Sequence, residues 1–140
     1  MNRKTLVALI GAAALALAAS GAALAARPAG PAVTVTIRTL TKTLKNTVAH
    51  GERGWITRYG APKGRCSGTS AAGALDAVTH GSWRGKWDSK FDDYFVTSIL
   101  GVTPKGKDYW GIFVNGKMSS FGVCGTRLRA HERLLFKIVR

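Results

Sequence analysis

Tyr109-Trp110-Gly111-Ile112-Phe113-Val114-Asn115-Gly116 is the stretch that decides how this chain folds. Trp110, Ile112 and Val114 lie two apart, so on an extended backbone they share one face. Asn115-Gly116 follows at once, and both residue types accept the positive φ that a type I′ hairpin turn requires. Residues 117–121 are therefore expected to pair back against the strand. A two-stranded hairpin is not stable alone in water, so the rest of the chain must supply further strands and a covering layer.

Both flanks do so. Downstream, Leu134, Phe136 and Ile138 alternate with more polar residues and predict a strand. Upstream, Tyr94-Phe95-Val96-Thr97-Ser98-Ile99-Leu100 is strand-like and Gly101 ends it, while Pro104 and Gly106 mark a turn region. Nearer the start, Val33, Val35 and Ile37 alternate with Thr34, Thr36 and Arg38 in a half-buried strand, and residues 41–48 form the second arm of a hairpin. Between these blocks, Ala71, Ala74, Leu75 and Val78 recur at helical spacing. Thr69 or Ser70 is the expected helix cap and Gly81 the stop. Residues 51–68 and 82–93 read as loops. The order strand, strand, helix, strand, hairpin, strand predicts an α+β fold: a single small β-grasp-like domain, with one helix packed on a mixed sheet.

Length and charge set the bounds. The chain has 140 residues, with 21 Lys and Arg against 7 Asp and Glu, a net charge of +14. That length allows one domain. The N-terminus has a basic start, Asn2-Arg3-Lys4, an apolar run over residues 6–17 and small residues at Ala23 and Ala25. This is the layout of a signal peptide over residues 1–26. A retained membrane anchor is the alternative, and no second apolar segment of spanning length follows. Residues 27–32 read as a flexible tether and 33–140 as the domain. Export gives Cys66 and Cys124 a meaning, since an even pair in a small exported domain reads as one disulfide. It closes a loop of roughly 60 residues, which the chain-entropy treatment values at about 4 kcal/mol.

The chain shows no set of groups with matching catalytic roles. Gly68-Thr69-Ser70-Ala71-Ala72 lacks the last glycine of a nucleophile elbow, and a helix cap explains Ser70. His50, His80 and His131 stand alone in sequence. Asp92 and Asp93 are adjacent, so on a strand they point to opposite faces. No enzymatic activity and no metal site are expected. Arg53, Arg58, Lys63 and Arg65 cluster in one segment with Trp55 and Tyr59 interleaved, a composition suited to an anionic partner. In an exported protein that partner is an envelope polymer or a membrane surface rather than nucleic acid. Simple solvation of the domain by its charges stays open. Trp83 and Trp87 are either binding anchors or lids over the core.

Several segments resemble the transcobalamin-like C-terminal domain family, which has bacterial secreted members of unknown function. Cys66-Ser67-Gly68-Thr69-Ser70-Ala71-Ala72-Gly73-Ala74-Leu75 resembles the family's helix entry. Tyr94 to Gly101 is similar to its "tyrosine, threonine-serine-isoleucine, glycine" strand, and Tyr109 to Gly116 to its "tryptophan then V-N-G" hairpin. Residues 128–139 resemble its final segment. The resemblance implies a β-grasp-like domain, which in the animal vitamin B12 carriers closes over one face of a corrin ring. It implies contacts from the strand carrying Trp110, Gly111, Ile112 and Phe113, with cobalamin as a possible ligand and no cofactor required. Two departures stand out. The carriers' large helical domain is absent, and Gly111 stands where a larger polar side chain is expected. Trp110, Phe113 and Phe121 are accordingly either an open apolar face or core. The alternative function is a cationic cell-envelope protein acting through Arg53, Arg58, Lys63 and Arg65.

Overall fold

The computed structural model describes residues 30–58 and 64–140. The expected signal peptide, the start of the tether, Tyr59 and Lys63 lie outside the described residues. The elements in chain order are β1 (Ala32–Arg38), β2 (Thr43–His50), β3 (Trp55–Thr57), β4 (Arg65–Ser67), α1 (Ala71–Thr79), β5 (Trp83–Asp88), β6 (Asp93–Ile99), β7 (Tyr109–Val114), β8 (Lys117–Met118) and β9 (Arg133–Val139).

The apolar alternation of β1, β7 and β9 builds the middle of a five-stranded central sheet, ordered β2-β1-β9-β7-β8. β1 pairs antiparallel with β2 and parallel with β9, setting Val35 beside Leu134 and Ile37 beside Phe136. β7 pairs antiparallel with β9, setting Trp110 beside Ile138, Ile112 beside Phe136 and Val114 beside Leu134. These rows make one continuous apolar face, and most of their residues are buried. The first and last strands of the sheet lie parallel at its centre with the helix on one face. This is the α+β, β-grasp-like arrangement expected from the sequence. Asn115 and Gly116 take φ values of 50° and 84°, as the type I′ turn requires. β8 is shorter than expected, Lys117–Met118 rather than residues 117–121.

α1 is buried nearly all round, including Ala71, Ala72, Gly73 and Ala74. Small side chains let it lie between the sheet and the β3–β4 ladder. A Cβ on Gly73 would overlap the Gly68 carbonyl. Ser70 occupies the N-cap position, but its hydroxyl donates to the Ser67 carbonyl at 2.6 Å rather than capping the helix. The first helical N–H groups, on Ala71 and Ala72, donate instead to the carbonyls of Thr126 and Val123, both at 2.9 Å. The cap is supplied from 55 and 51 residues away in sequence rather than by its own neighbours. His80, in the left-handed region, ends the helix just before Gly81.

Two stretches read as loops contain strands. Within residues 51–68, β3 and β4 form an antiparallel ladder with Ile56 opposite Cys66. Three residues per strand are too few for alternation to register as a period. Within residues 82–93, β5 pairs with β6. Trp83 and Gly85 face inward while Arg84 and Lys86 face out. The alternation exists, but its middle position is a glycine and carries no apolar side chain. A Cβ at Gly85 would lie 3.1 Å from the Cβ of Tyr94 and 3.2 Å from the Trp83 ring, so the aromatic packing leaves little room for one. Residues 30–32, at the end of the expected tether, are hydrogen-bonded: the Ala32 carbonyl accepts from the His131 N–H at 2.7 Å. The expected disulfide, Cys66–Cys124, is present with its Cα atoms 4.8 Å apart.

Candidate functional site

The site is built on an anchored corner. Asp93, at the start of β6, is 7% exposed. Its carboxylate accepts the N–H groups of Tyr94 at 2.7 Å, Cys124 at 2.8 Å and Gly125 at 2.9 Å. Gly122 has no room for a Cβ because the Asp93 carboxylate occupies that space. The disulfide holds Cys124 a second time, and the Ser119 and Thr126 hydroxyls meet at 2.7 Å. Asp93 is thus a structural acceptor that organises the segment after β8.

Beside this corner the chain leaves apolar side chains in water. Phe121 is 68% exposed, Phe95 56% and Met118 49%. The three rim a cleft of about 170 Å³ between β6 and the β7–β8 hairpin, and Trp110, Gly111 and Ile112 lie along its wall. An adjoining hollow of about 590 Å³ shares Met118, Ser119 and Phe121 and adds Lys117 and Arg127. The surface is therefore apolar and aromatic with cations at one end, which suits an amphiphilic ligand bearing negative groups.

The four positions carried over from the family resemblance divide between the two faces of β7. Trp110 and Ile112 are buried in the core rows, and the Trp110 indole N–H donates to the Val102 carbonyl at 3.3 Å. Gly111 and Phe113 face the other way. A Cβ on Gly111 would sit 3.0 Å from the Phe113 ring and 3.4 Å from the Met118 methyl. The glycine thus keeps the cleft wall flat between those two side chains. Of the three residues read as open face or core, Trp110 is core, Phe121 is open and Phe113 is half-buried. Sequence reasoning left out Phe95 and Met118. Phe95 carried a signal, an aromatic at an outward position of β6 between inward Tyr94 and Val96.

The basic cluster is split. Arg58 turns inward: its Nη2 lies 3.0 Å from Asp76 Oδ1, its guanidinium stands 4.7 Å over the Trp83 ring, and it donates to the Gly81 carbonyl. Trp83 Nε1 donates to the same Asp76 oxygen at 2.8 Å. Tyr94 accepts from the Arg58 backbone N–H at 3.0 Å and donates to the Gly64 carbonyl, with Trp83 and Trp87 packed edge-on at 5.7 Å and 4.9 Å. Trp83 is therefore core, and Trp87 packs half-buried against it. Glu52 lies close by. Burial raises its carboxyl pKa, the Asp76 charge raises it further, and Arg58 opposes both. Arg65 instead stays on the surface with its guanidinium 4.3 Å over Trp55, and Arg53 is also exposed. Among the described residues, no group of three or more His, Cys, Asp or Glu is placed to hold a metal ion, and no helix is long and apolar enough to cross a membrane.

Comparison with solved structures gives the architecture a context. The chain superposes on haptocorrin in complex with Cbi with a TM-score of 0.60 at 14% identity, over 79% of this chain and 25% of haptocorrin. The fold is shared with haptocorrin. It is also shared with a protein from Ruminococcus gnavus ATCC 29149 described as a candidate metal-binding protein, with a TM-score of 0.54 at 12% identity over 79% of this chain and 97% of that one. The chain thus spans about a quarter of haptocorrin and nearly all of the second protein. The family described as a domain of unknown function, DUF4430, matches residues 74–140. No curated protein matches the chain.

Proposed function

We propose that this chain is a non-enzymatic ligand-binding module of an exported protein, and that its ligand lies against the cleft rimmed by Phe95, Met118 and Phe121. The observation that carries this reading is the exposure of those three side chains beside a corner built to hold them there. Leaving large apolar groups in water forgoes the burial energy that a partner recovers, about 25 cal/mol for each Å² covered. A corrinoid is the ligand class that the family resemblance suggests, and the shared fold with haptocorrin supports it. Its ring system would lie flat against the aromatic rim, and the single phosphodiester that cobalamin carries and cobinamide lacks would lie toward Lys117 and Arg127. One domain covers one face of such a ligand, so affinity is expected to be well below that of a site enclosing 70–90% of the ligand.

The test is a titration of the disulfide-bonded chain with cobinamide and with cobalamin, following the visible absorbance of the corrin and calorimetric heat. A saturable change that Phe121→Ala and Phe95→Ala weaken supports the reading. Absence of any saturable change at millimolar protein removes the corrinoid assignment.

A further inference from the structure

Trp55 is placed unlike the other described tryptophans. It is 59% exposed, whereas Trp83 and Trp110 are each 4% exposed. The β3–β4 ladder explains the direction. Ile56 and Cys66 point inward and fix the ladder against α1 and the disulfide, so Trp55, Thr57, Arg65 and Ser67 occupy its outer face. Trp55 faces Ser67 directly and Arg65 diagonally, and the Arg65 guanidinium stands 4.3 Å from the indole centroid. The Ser67 and Thr69 hydroxyls lie 2.9 Å apart at the same end of the ladder. The indole is thus held beside a cation and a pair of hydroxyls, on a ladder fastened at its back by the disulfide.

Each part has a chemistry. An exposed indole face accepts the apolar face of a sugar ring, an arginine accepts a carboxylate or phosphate through directed N–H groups, and paired hydroxyls match sugar hydroxyls. The whole chain carries 21 Lys and Arg against 7 Asp and Glu, so an anionic polymer is drawn to it from a distance. Single-stranded nucleic acid uses the same two side-chain types, but stacks successive bases on successive aromatics along a groove. Here one indole stands on a short ladder. The Cys66–Cys124 bond also starts in β4 itself, and such bonds persist in oxidising compartments, where glycans rather than nucleic acids are the common polyanions.

We propose that the outer face of the β3–β4 ladder, formed by Trp55, Arg65, Ser67 and Thr69, is a second binding site that takes an acidic polysaccharide. It is separate from the Phe95–Met118–Phe121 cleft and does not depend on it. The experiment is isothermal titration calorimetry of the full chain, disulfide intact, with an oligogalacturonate of defined length at low and at physiological ionic strength. A neutral oligosaccharide of equal length and a single-stranded oligonucleotide of equal charge serve as comparators. Trp55→Ala and Arg65→Ala are each expected to weaken oligogalacturonate binding about tenfold, the loss of one stacking or one charge-assisted contact. Lys105→Ala with Lys107→Ala, which removes two charges elsewhere, and Phe121→Ala are expected to leave it within about twofold. Unchanged melting temperatures confirm that the surface variants fold, and Trp55→Phe, which keeps a ring, is expected to lose less than Trp55→Ala. Equal loss in the Lys105/Lys107 variant would show net charge alone at work and overturn the site. Oligonucleotide binding as tight as glycan binding, with the same dependence on Trp55, would overturn the glycan assignment, and so would the absence of saturable binding.

Discussion

Phe121 and Val123 are two residues apart and have opposite fates. Phe121 is 68% exposed and Val123 is 0% exposed. Val123 belongs to a corner where the disulfide, the Asp93 carboxylate and the start of α1 meet, and its carbonyl accepts a helix N–H. Phe121 belongs to a cleft where apolar groups face water. The segment 119–126 is shared by both regions, which shows how a small domain keeps an apolar surface without letting it collapse. The corner spends its hydrogen bonds on geometry, and the cleft inherits the position of its rim.

Breaking the corner should therefore damage both regions, and trimming the cleft only one. Removing the disulfide by Cys66→Ser with Cys124→Ser is expected to cost about 4 kcal/mol of unfolding free energy, from the loop it closes. Denaturant unfolding measures this, and a loss below about 1 kcal/mol would mean the corner is held by its hydrogen bonds alone. Asp93→Ala strands the N–H groups of Cys124 and Gly125 and is expected to cost about 3 kcal/mol. It should also weaken ligand uptake in the cleft although Asp93 lines no part of the rim, so intact uptake would uncouple the two regions. Gly73→Ala forces α1 away from the Gly68 carbonyl and is expected to cost about 2 kcal/mol, read as a lowered melting temperature. Phe121→Ala should change stability by no more than about 0.5 kcal/mol while weakening ligand binding, and a large stability loss would place Phe121 in the core. The smallest effect belongs to Glu52. Its folded pKa is raised, so over the window between its unfolded and folded values the folded state holds a proton the unfolded chain has lost. Stability through this group falls as pH rises across that window. Glu52→Gln should flatten this part of a stability profile measured from acid to neutral pH, and an unchanged slope would assign it to another carboxylate.

The residues that made the fold legible carry a local period. Val33, Val35 and Ile37, Leu134, Phe136 and Ile138, and the Trp110 row all read as inward faces, and Asn115-Gly116 marked the hairpin. What escaped was set by distant partners. Gly85 hid β5, because its inward position is filled by the neighbouring rings of Trp83 and Tyr94. Arg58 looked like its neighbours Arg53 and Arg65 until Asp76 and Trp83 drew it inward. Asp93 binds N–H groups 31 and 32 residues away, a pairing that leaves no trace in spacing. The cleft was half legible: the resemblance pointed to β7, but the seam with β6 depends on how two separate sheets sit together, so Phe95 and Met118 stayed unmarked.

The parallel pair of β1 and β9 has a consequence for how the domain is made. β9 is the middle strand of the central sheet, and among the described strands it is the last to be synthesised. A chain emerging from its N-terminus can close the β1–β2 hairpin early, but β1 and β7 have nothing between them until residues 133–139 arrive. Closure is therefore late and all-or-none, with slow kinetics expected from such long-range pairing. Until then the central sheet has no middle, and its two halves stay unpaired.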